Sequence, residues 1–441
     1  MPNRSTLLYQ SSEDHSSGKN TVSVFIVGLT LFVLIFYVIA VFYFPTLYVI
    51  GTYEDLYGEW GQTYGFGITC FFSTLLACQK NHAQRWFFML LAAASFYVVM
   101  EEISWGQRLI GFETPQFFHD NSYQDEANIH NLLTGPVDAW TKTILTYGVA
   151  FALLCYAVFL PLALRVNFKP ARWLNDWRLA AEPPMALMPA FIFAAILEIE
   201  PFSFNEAEIA ELLVAWSLAF TALTYWLQSQ STDKPALFPY FLVLLVGVSA
   251  SWGTTTLLIN SPSQRTEIND RLTNGFEKFI DRYEGYEYPF GVVEMLKQFD
   301  RMQPNNTVIL RKIADNYELL GDFASAKLYL QKAVDEALQR LAKDPESIQA
   351  NVSIAKSYRK LGDFTSMAVY ADRAYNIALK RQQAEPDHAY WAYWLAKACE
   401  QTNRQEDALK FFRLAHQLEP ESSRYEDAYQ QKKQIMIEYE E

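Results

Sequence analysis

Cysteine is scarce in this 441-residue chain, with four copies. Cys70, Cys78 and Cys155 lie in apolar stretches and Cys399 stands far downstream, so no disulfide framework can be read and a small cross-linked secreted domain is excluded. Long apolar runs are lacking beyond residue 262, which excludes a membrane span there. A secretory signal is lacking too. Residues 1–20 are polar and serine-rich, and the apolar stretch 21–50 far exceeds a signal core of roughly 7–15 residues and ends in no small-residue cleavage site. It is expected to be a retained first helix.

The residues that are abundant are unevenly spread. Hydrophobic residues make up 51% of the chain, aromatics 16%, and there are 11 Trp, with the apolar mass concentrated between residues 21 and 258. A spanning helix needs about 20 apolar residues. That criterion selects seven stretches, 21–45, 60–79, 85–106, 142–164, 185–204, 209–228 and 236–258. Lys and Arg of short loops are retained on the cytoplasmic side. Arg4 and Lys19, then Lys80 and Arg85, then Arg165, Lys169, Arg172 and Arg178, then Lys234 fall in alternate segments, while the opposite segments hold only Arg108 and Lys142. The expectation is a multi-pass bacterial inner-membrane protein with a cytoplasmic tail over 1–20 and a seven-span membrane domain over 21–260. An amphipathic helical connector, 261–304, and an extracytoplasmic repeat domain, 305–441, would follow. A helix is expected in the connector from about Glu267 to Tyr283.

The base-poor side is crowded with carboxylates, among them Glu59, Glu101, Glu102, Glu126, Glu198, Glu200, Glu206, Glu208 and Glu211. In the third stretch charge-free sequence lasts only from Trp86 to Met100, so a helix starting at Arg85 carries Glu101 and Glu102 into the outer leaflet. A carboxylate at that depth costs a few kcal/mol unless paired, protonated, metal-bound or hydrated, and marks a candidate functional site. A continuing helix places Glu101, Ser104, Trp105 and Arg108 on one face. Glu101, Glu102 and His130 are candidate catalytic groups, with Trp105, Gln107, Arg108, Gln124, Glu126 and Asn128 around the substrate. Glu101, Glu102, Glu126, His130 and Glu198 suit one divalent cation, Zn, Mn or Ca, which with an acid or base would activate water. The spacing matches no standard metal motif. Plainer roles stand beside these: capping boxes at Ser203-x-x-Glu206 and Asn205-x-x-Glu208, a solvated loop at Glu54 and Glu59, interfacial belt placement for Trp105, and neutralisation of a buried carboxylate by Arg108.

The run Glu101-Glu102-x-Ser104-Trp105-Gly106-Gln107-Arg108, with Asn121, Gln124, Glu126, Asn128, His130 and Asn131 downstream, resembles a group of bacterial polytopic membrane proteins. The resemblance names a family without naming an activity. A looser likeness is to seven-span hydrolases of the alkaline ceramidase type, whose zinc is held by three His. The membrane spans of this chain depart from it, having only His119 and His130 on the outer side and His82 on the inner.

Beyond residue 305 the sequence repeats. Ala314, Tyr317, Leu320, Gly321, Asp322, Phe323 and Ala326 recur as Ala355, Tyr358, Leu361, Gly362, Asp363, Phe364 and Met367, then loosely as Ala396, Cys399, Asn403 and Ala408, at a step of 41 residues. The pattern resembles the tetratricopeptide repeat (TPR), lengthened by two helical turns in the first two copies. It implies an all-α solenoid of about three repeats with Ser422–Glu441 as its cap. In such arrays the first helix of each repeat lines the concave surface, so Arg311, Lys356, Arg359, Lys360, Tyr390, Tyr393 and Lys397 are the expected partner-binding residues, suited to an acidic protein segment. The function expected is a scaffold or assembly factor of the cell envelope contacting lipid and a protein partner; the alternative is a membrane-embedded, metal-dependent hydrolase or transferase acting on a lipid-linked substrate at the outer leaflet.

Overall fold

The computed structural model describes residues 4–53, 56–107, 112–121, 127–129, 140–230, 237–262 and 264–440, and among them it is all-helical. The chain divides into two compact units, Met1–Gly275 and Phe276–Glu441.

In the first unit α1 (Arg4–Tyr43), α2 (Pro45–Thr52), α3 (Tyr57–Cys78) and α4 (Arg85–Glu102) lead to a short α5 (Gln116–Asn121). Then come α6 (Trp140–Arg165), α7 (Lys169–Asp176), α8 (Met188–Leu197), α9 (Glu206–Ser229) and α10 (Leu237–Asn260). The helix α3 is the hub and packs on α4, α9 and α10. A single apolar core joins Val22, Phe72, Leu76, Phe88, Phe191, Trp216, Phe220 and Tyr240 from six of these helices.

Four described helices, not seven, are long and apolar enough to cross a membrane: the Asn20–Tyr43 part of α1, then α6, α9 and α10. The other three expected spans fall short of that length and apolarity for visible reasons. Inward-facing Glu59, Gln62, Thr63, Thr69 and Ser73 make α3 too polar. Arg85, Glu101 and Glu102 lie within the 18 residues of α4. The apolar stretch Met185–Leu197 is too short. Outwardly, α1, α6 and α10 expose apolar side chains on broad faces, including Phe32, Ile35, Ile144, Phe151, Phe241, Leu245 and Leu257. Helices apolar all round belong inside a large core or a membrane.

In the second unit α11 (Arg265–Gly285), which begins before its boundary, and α12 (Pro289–Met302) form a hairpin. The ring of Tyr283 lies so close to Gly291 that a Cβ there would meet it at 2.5 Å. The sequence reading anticipated only the first of these helices, although Pro289 is a ready N-terminal signal for the second. Three further hairpins follow: α13 (Thr307–Leu319) with α14 (Phe323–Lys343), α15 (Ile348–Leu361) with α16 (Phe364–Ala384), and α17 (Ala389–Gln401) with α18 (Gln405–Leu418). The closing helix is α19 (Ser423–Glu440).

The 41-residue step is written into this geometry. Thr307, Ile348 and Ala389 open the first helices and Phe323, Phe364 and Gln405 the second, each 41 residues after its counterpart. The turns between them need a left-handed residue, supplied by Gly321 (φ 75°), Gly362 (φ 74°) and Asn403 (φ 59°). Asp322 and Asp363 then cap the second helices by accepting the amides of Ser325 and Ser366, both at 3.0 Å. Stacked rings join the helices within a hairpin, Tyr317 on Tyr329 and Tyr358 on Tyr370; the third hairpin has Cys399 and Phe411 at these positions.

Candidate functional site

The first candidate lies where α4 ends. The expected helix through Arg108 does not form. It stops at Glu102, and Ser104 (φ 46°), Trp105 (φ 52°) and Gly106 (φ 95°) take up left-handed backbone in succession. Two of the three are not glycine, a conformation that costs of order 1–3 kcal/mol per residue and clusters at functional sites. This turn, not an i, i+4 stripe, returns the Trp105 indole to Glu101, where its Nε1 donates to the Glu101 carboxylate at 2.7 Å. Asn128 Nδ2 donates to the Glu101 carbonyl at 3.2 Å. Gln107 bridges two segments: its Oε1 accepts the Ala127 amide at 2.8 Å and its Nε2 donates to Thr114 Oγ1 at 2.9 Å. Glu101, Ser104 and Asn128 are buried while Trp105 is 40% exposed, so the turn holds a buried carboxylate beneath an accessible ring.

Glu101, Glu102, Trp105, Gln107 and Asn128 thus stand in one neighbourhood. Arg108, Gln124, Glu126 and His130 lie outside the described residues. Glu198 follows the last residue of α8 and acts electrostatically with Glu200 and Glu211. Among the described residues no group of three or more His, Cys, Asp or Glu side chains is placed to hold a metal ion.

The capping boxes at the start of α9 do not form as expected. Asn205 is the cap but takes a left-handed conformation, and its side chain donates to the Thr52 carbonyl at 3.2 Å. Glu206 instead accepts the backbone amides of Phe202 and Phe204, both at 2.7 Å, and Glu208 takes Gln62 Nε2 at 2.9 Å. These two carboxylates are committed to holding the loop and α3.

The second candidate is the surface of the first repeat helices α13, α15 and α17, which adjoin one another along the array. Position by position at the 41-residue step, Asp315, Lys356 and Lys397 form one row, and Glu318, Arg359 and Glu400 another. Most of the cations are already engaged. Arg311 donates to Ser353 Oγ at 2.7 Å, and Ser353 in turn donates to Thr307 Oγ1 at 2.8 Å. Arg359 reaches the carbonyls of Glu400 and Gln401, while Lys360 pairs with Asp315. Lys397 pairs with Glu400 at 3.6 Å and lies over the rings of Tyr393 and Phe412. The Tyr390 hydroxyl accepts Gln349 Nε2 at 2.8 Å, and Tyr393 is buried.

Lys356 differs from its neighbours. Half-buried at the centre of this surface, it has no hydrogen-bond or ion-pair partner among the described residues. Burial, reinforced by the positive charges of Lys397, Arg311 and Arg359 and only partly offset by Glu400, holds its ammonium down at about 8. A cation held at such a cost is a candidate position for meeting a negative group.

No family model matches this chain, and no curated protein matches it. Solved structures that resemble it include a MamA protein, at 14% identity and TM-score 0.19, with 37% of this chain and 81% of that one covered. MamA from residue 41 to its end, from Desulfovibrio magneticus RS-1, matches at 18% identity and TM-score 0.19, covering 38% and 92%. The TPR domain of P58(IPK) matches at 13% identity and TM-score 0.17, covering 68% and 92%. Superpositions this loose carry no argument. The repeat register of the chain itself does: the second unit contains a TPR-like solenoid.

Sequence reasoning missed the contribution of the closing helix. From α19, Arg424 lies 4.6 Å above the Tyr393 ring and the buried Lys432 stands 3.9 Å from Glu400. Both residues fall outside the repeating positions, so no periodic signal points to them.

Proposed function

We propose that this protein is a membrane-anchored scaffold or assembly factor of the bacterial cell envelope, whose solenoid recognises an acidic protein segment along its first helices. The observation that carries the reading is Lys356, a half-buried cation with no hydrogen-bond or ion-pair partner among the described residues, set in the field of Lys397, Arg311 and Arg359 against Glu400. An incoming carboxylate supplies the charge-assisted hydrogen bonds that the chain itself does not give Lys356. The anchor is a multi-pass bundle. Its support is the four long apolar helices and their lipid-like outer faces, and α3 belongs to the interior, where polar side chains find partners such as Glu208. Orientation rests on the alternating basic loops, which favour a cytoplasmic N-terminus and a solenoid outside the inner membrane; that topology requires α3, α4 and the stretch containing α8 to cross as well, shielded from lipid by the four apolar helices.

The test uses the purified full chain in detergent with a fluorescein-labelled peptide of alternating Glu and Leu. Saturable binding that weakens with salt is expected, with at least a tenfold loss, about 1.4 kcal/mol, in Lys356→Glu. Equal binding by wild type and variant rejects the groove. A periplasm-active reporter fused after residue 262 is expected to be active, and one fused near Arg172 inactive; the reverse pattern rejects the orientation.

A second reading is favoured by the left-handed Ser104–Gly106 turn over Glu101. It is a membrane-embedded hydrolase or transferase acting on a lipid-linked substrate, with Glu101 and Glu102 as acid and base, or with Glu126, His130 and Glu198 as ligands of one divalent cation. Glu101→Gln and Glu102→Gln variants that accumulate normally and retain full cellular function reject it.

A further inference from the structure

On the basic-loop side of the first unit, an open groove of about 550 Å³ runs between α4 and the end of α7 with the segment after it, lined by Trp86, Met89, Leu90, Asp176, Trp177, Arg178 and Leu179. The sequence builds it simply. Trp86, Met89 and Leu90 follow the i, i+3, i+4 spacing of one helix face, and all three are exposed. The opposite wall is fixed by a backbone bond from the Phe87 amide to the Arg178 carbonyl at 3.0 Å, with Arg178 itself left-handed at φ 61°.

The helix beside this groove has the make-up of an interfacial helix. Its Ala171 is buried, whereas Lys169, Arg172, Trp173 and the flanking Phe168 and Trp177 are exposed, with the two indoles 4.5 Å apart. Aromatic rings and snorkelling cations on one exposed face are the composition that settles at the lipid headgroup level. Among the described residues Lys169, Arg172 and Arg178 have no ion-pair partner. Arg85 carries its guanidinium over the Trp86 ring, 5.3 Å from its centre.

We propose that this groove holds one anionic phospholipid, its phosphate met by Arg178 of the lining and by Arg172, one turn before Asp176 on the adjoining α7, with one acyl chain laid along Trp86, Met89 and Leu90. Charge complementarity selects the occupant. A detergent would fill the apolar wall but bring no phosphate, and a zwitterionic lipid would bring its phosphate together with a headgroup cation that Arg85, Lys169, Arg172 and Arg178, against Asp176, repel. The proposal rests on the membrane reading above and adds to it a specific lipid on the cytoplasmic leaflet.

The experiment extracts the full chain from membranes, exchanges it into micelles holding equal phosphatidylglycerol and phosphatidylcholine, and counts retained lipids by native mass spectrometry. One phosphatidylglycerol is expected to be retained in preference to phosphatidylcholine. Arg172→Gln with Arg178→Gln is expected to lower that preference on the order of tenfold, given the usual attraction of each cation to anionic lipid; Lys327→Gln, on a repeat helix, serves as control. Leu90→Glu, which blocks the apolar wall and leaves the cations, is expected to reduce retention of both lipids. A membrane-extracted protein that keeps both lipids equally, or a double variant with unchanged preference, overturns the proposal while leaving the membrane reading intact. A chain recovered in the aqueous fraction without detergent overturns both.

Discussion

Lys356 and Gly106 mark opposite uses of an unfavourable position. A lysine half-buried among like charges destabilises the solenoid, and on the proposed function gives it a binding point, so Lys356→Met is expected to leave the melting temperature of the full chain unchanged or raise it by roughly 2–4 °C while weakening peptide capture about tenfold. A fall in melting temperature instead would mean that the ammonium has a structural partner. The charge also dictates a pH profile. With the ammonium held at about 8 by burial and by Lys397, Arg311 and Arg359, against Glu400, capture is expected to be flat from about pH 6 to 7.5 and to weaken as the pH rises through 8. The Lys356→Met background should lose that step, and a step that persists in it would have another origin. At Gly106 the backbone itself is the constraint. With φ at 95°, Gly106→Ala is expected to cost roughly 1–3 kcal/mol and release the Trp105–Glu101 contact, read as changed tryptophan emission and lower thermal stability in detergent.

The repeats separate what periodicity reveals from what it hides. The turns were legible because each demands a left-handed residue before an aspartate cap, and Gly321-Asp322 and Gly362-Asp363 announce both needs. Since a Cβ at Gly362 would meet nothing within 4 Å, Gly362→Ala isolates the backbone term, and a loss of about 1 kcal/mol is expected by thermal unfolding. No loss would show that the turn relaxes out of its left-handed form. At α3 apolar-run counting cannot tell a lipid-facing helix from an interior one that buries Glu59, Gln62 and Thr69, and at α4 it passes over the Arg85, Glu101 and Glu102 charges at the helix ends. The Glu101 site was half legible. The motif was visible, but the left-handed turn that makes Trp105 a partner of Glu101 has no period, and its non-glycine residues conceal it.

At the scale of the whole molecule, one chain carries an apolar bundle and a TPR-like solenoid, and the solenoid's proposed partner-binding surface is what most needs testing. The most direct measurement places a photo-crosslinking amino acid at Lys397, beside Lys356 on the first repeat helices, and another at Lys380 on the second helix of its repeat, in the full chain within intact membranes. Irradiation is expected to trap a polypeptide at position 397 and not at 380, with the adduct lost in the Lys356→Glu background. Equal trapping at both positions, or an adduct at 397 that survives Lys356→Glu, would contradict the groove as the binding surface.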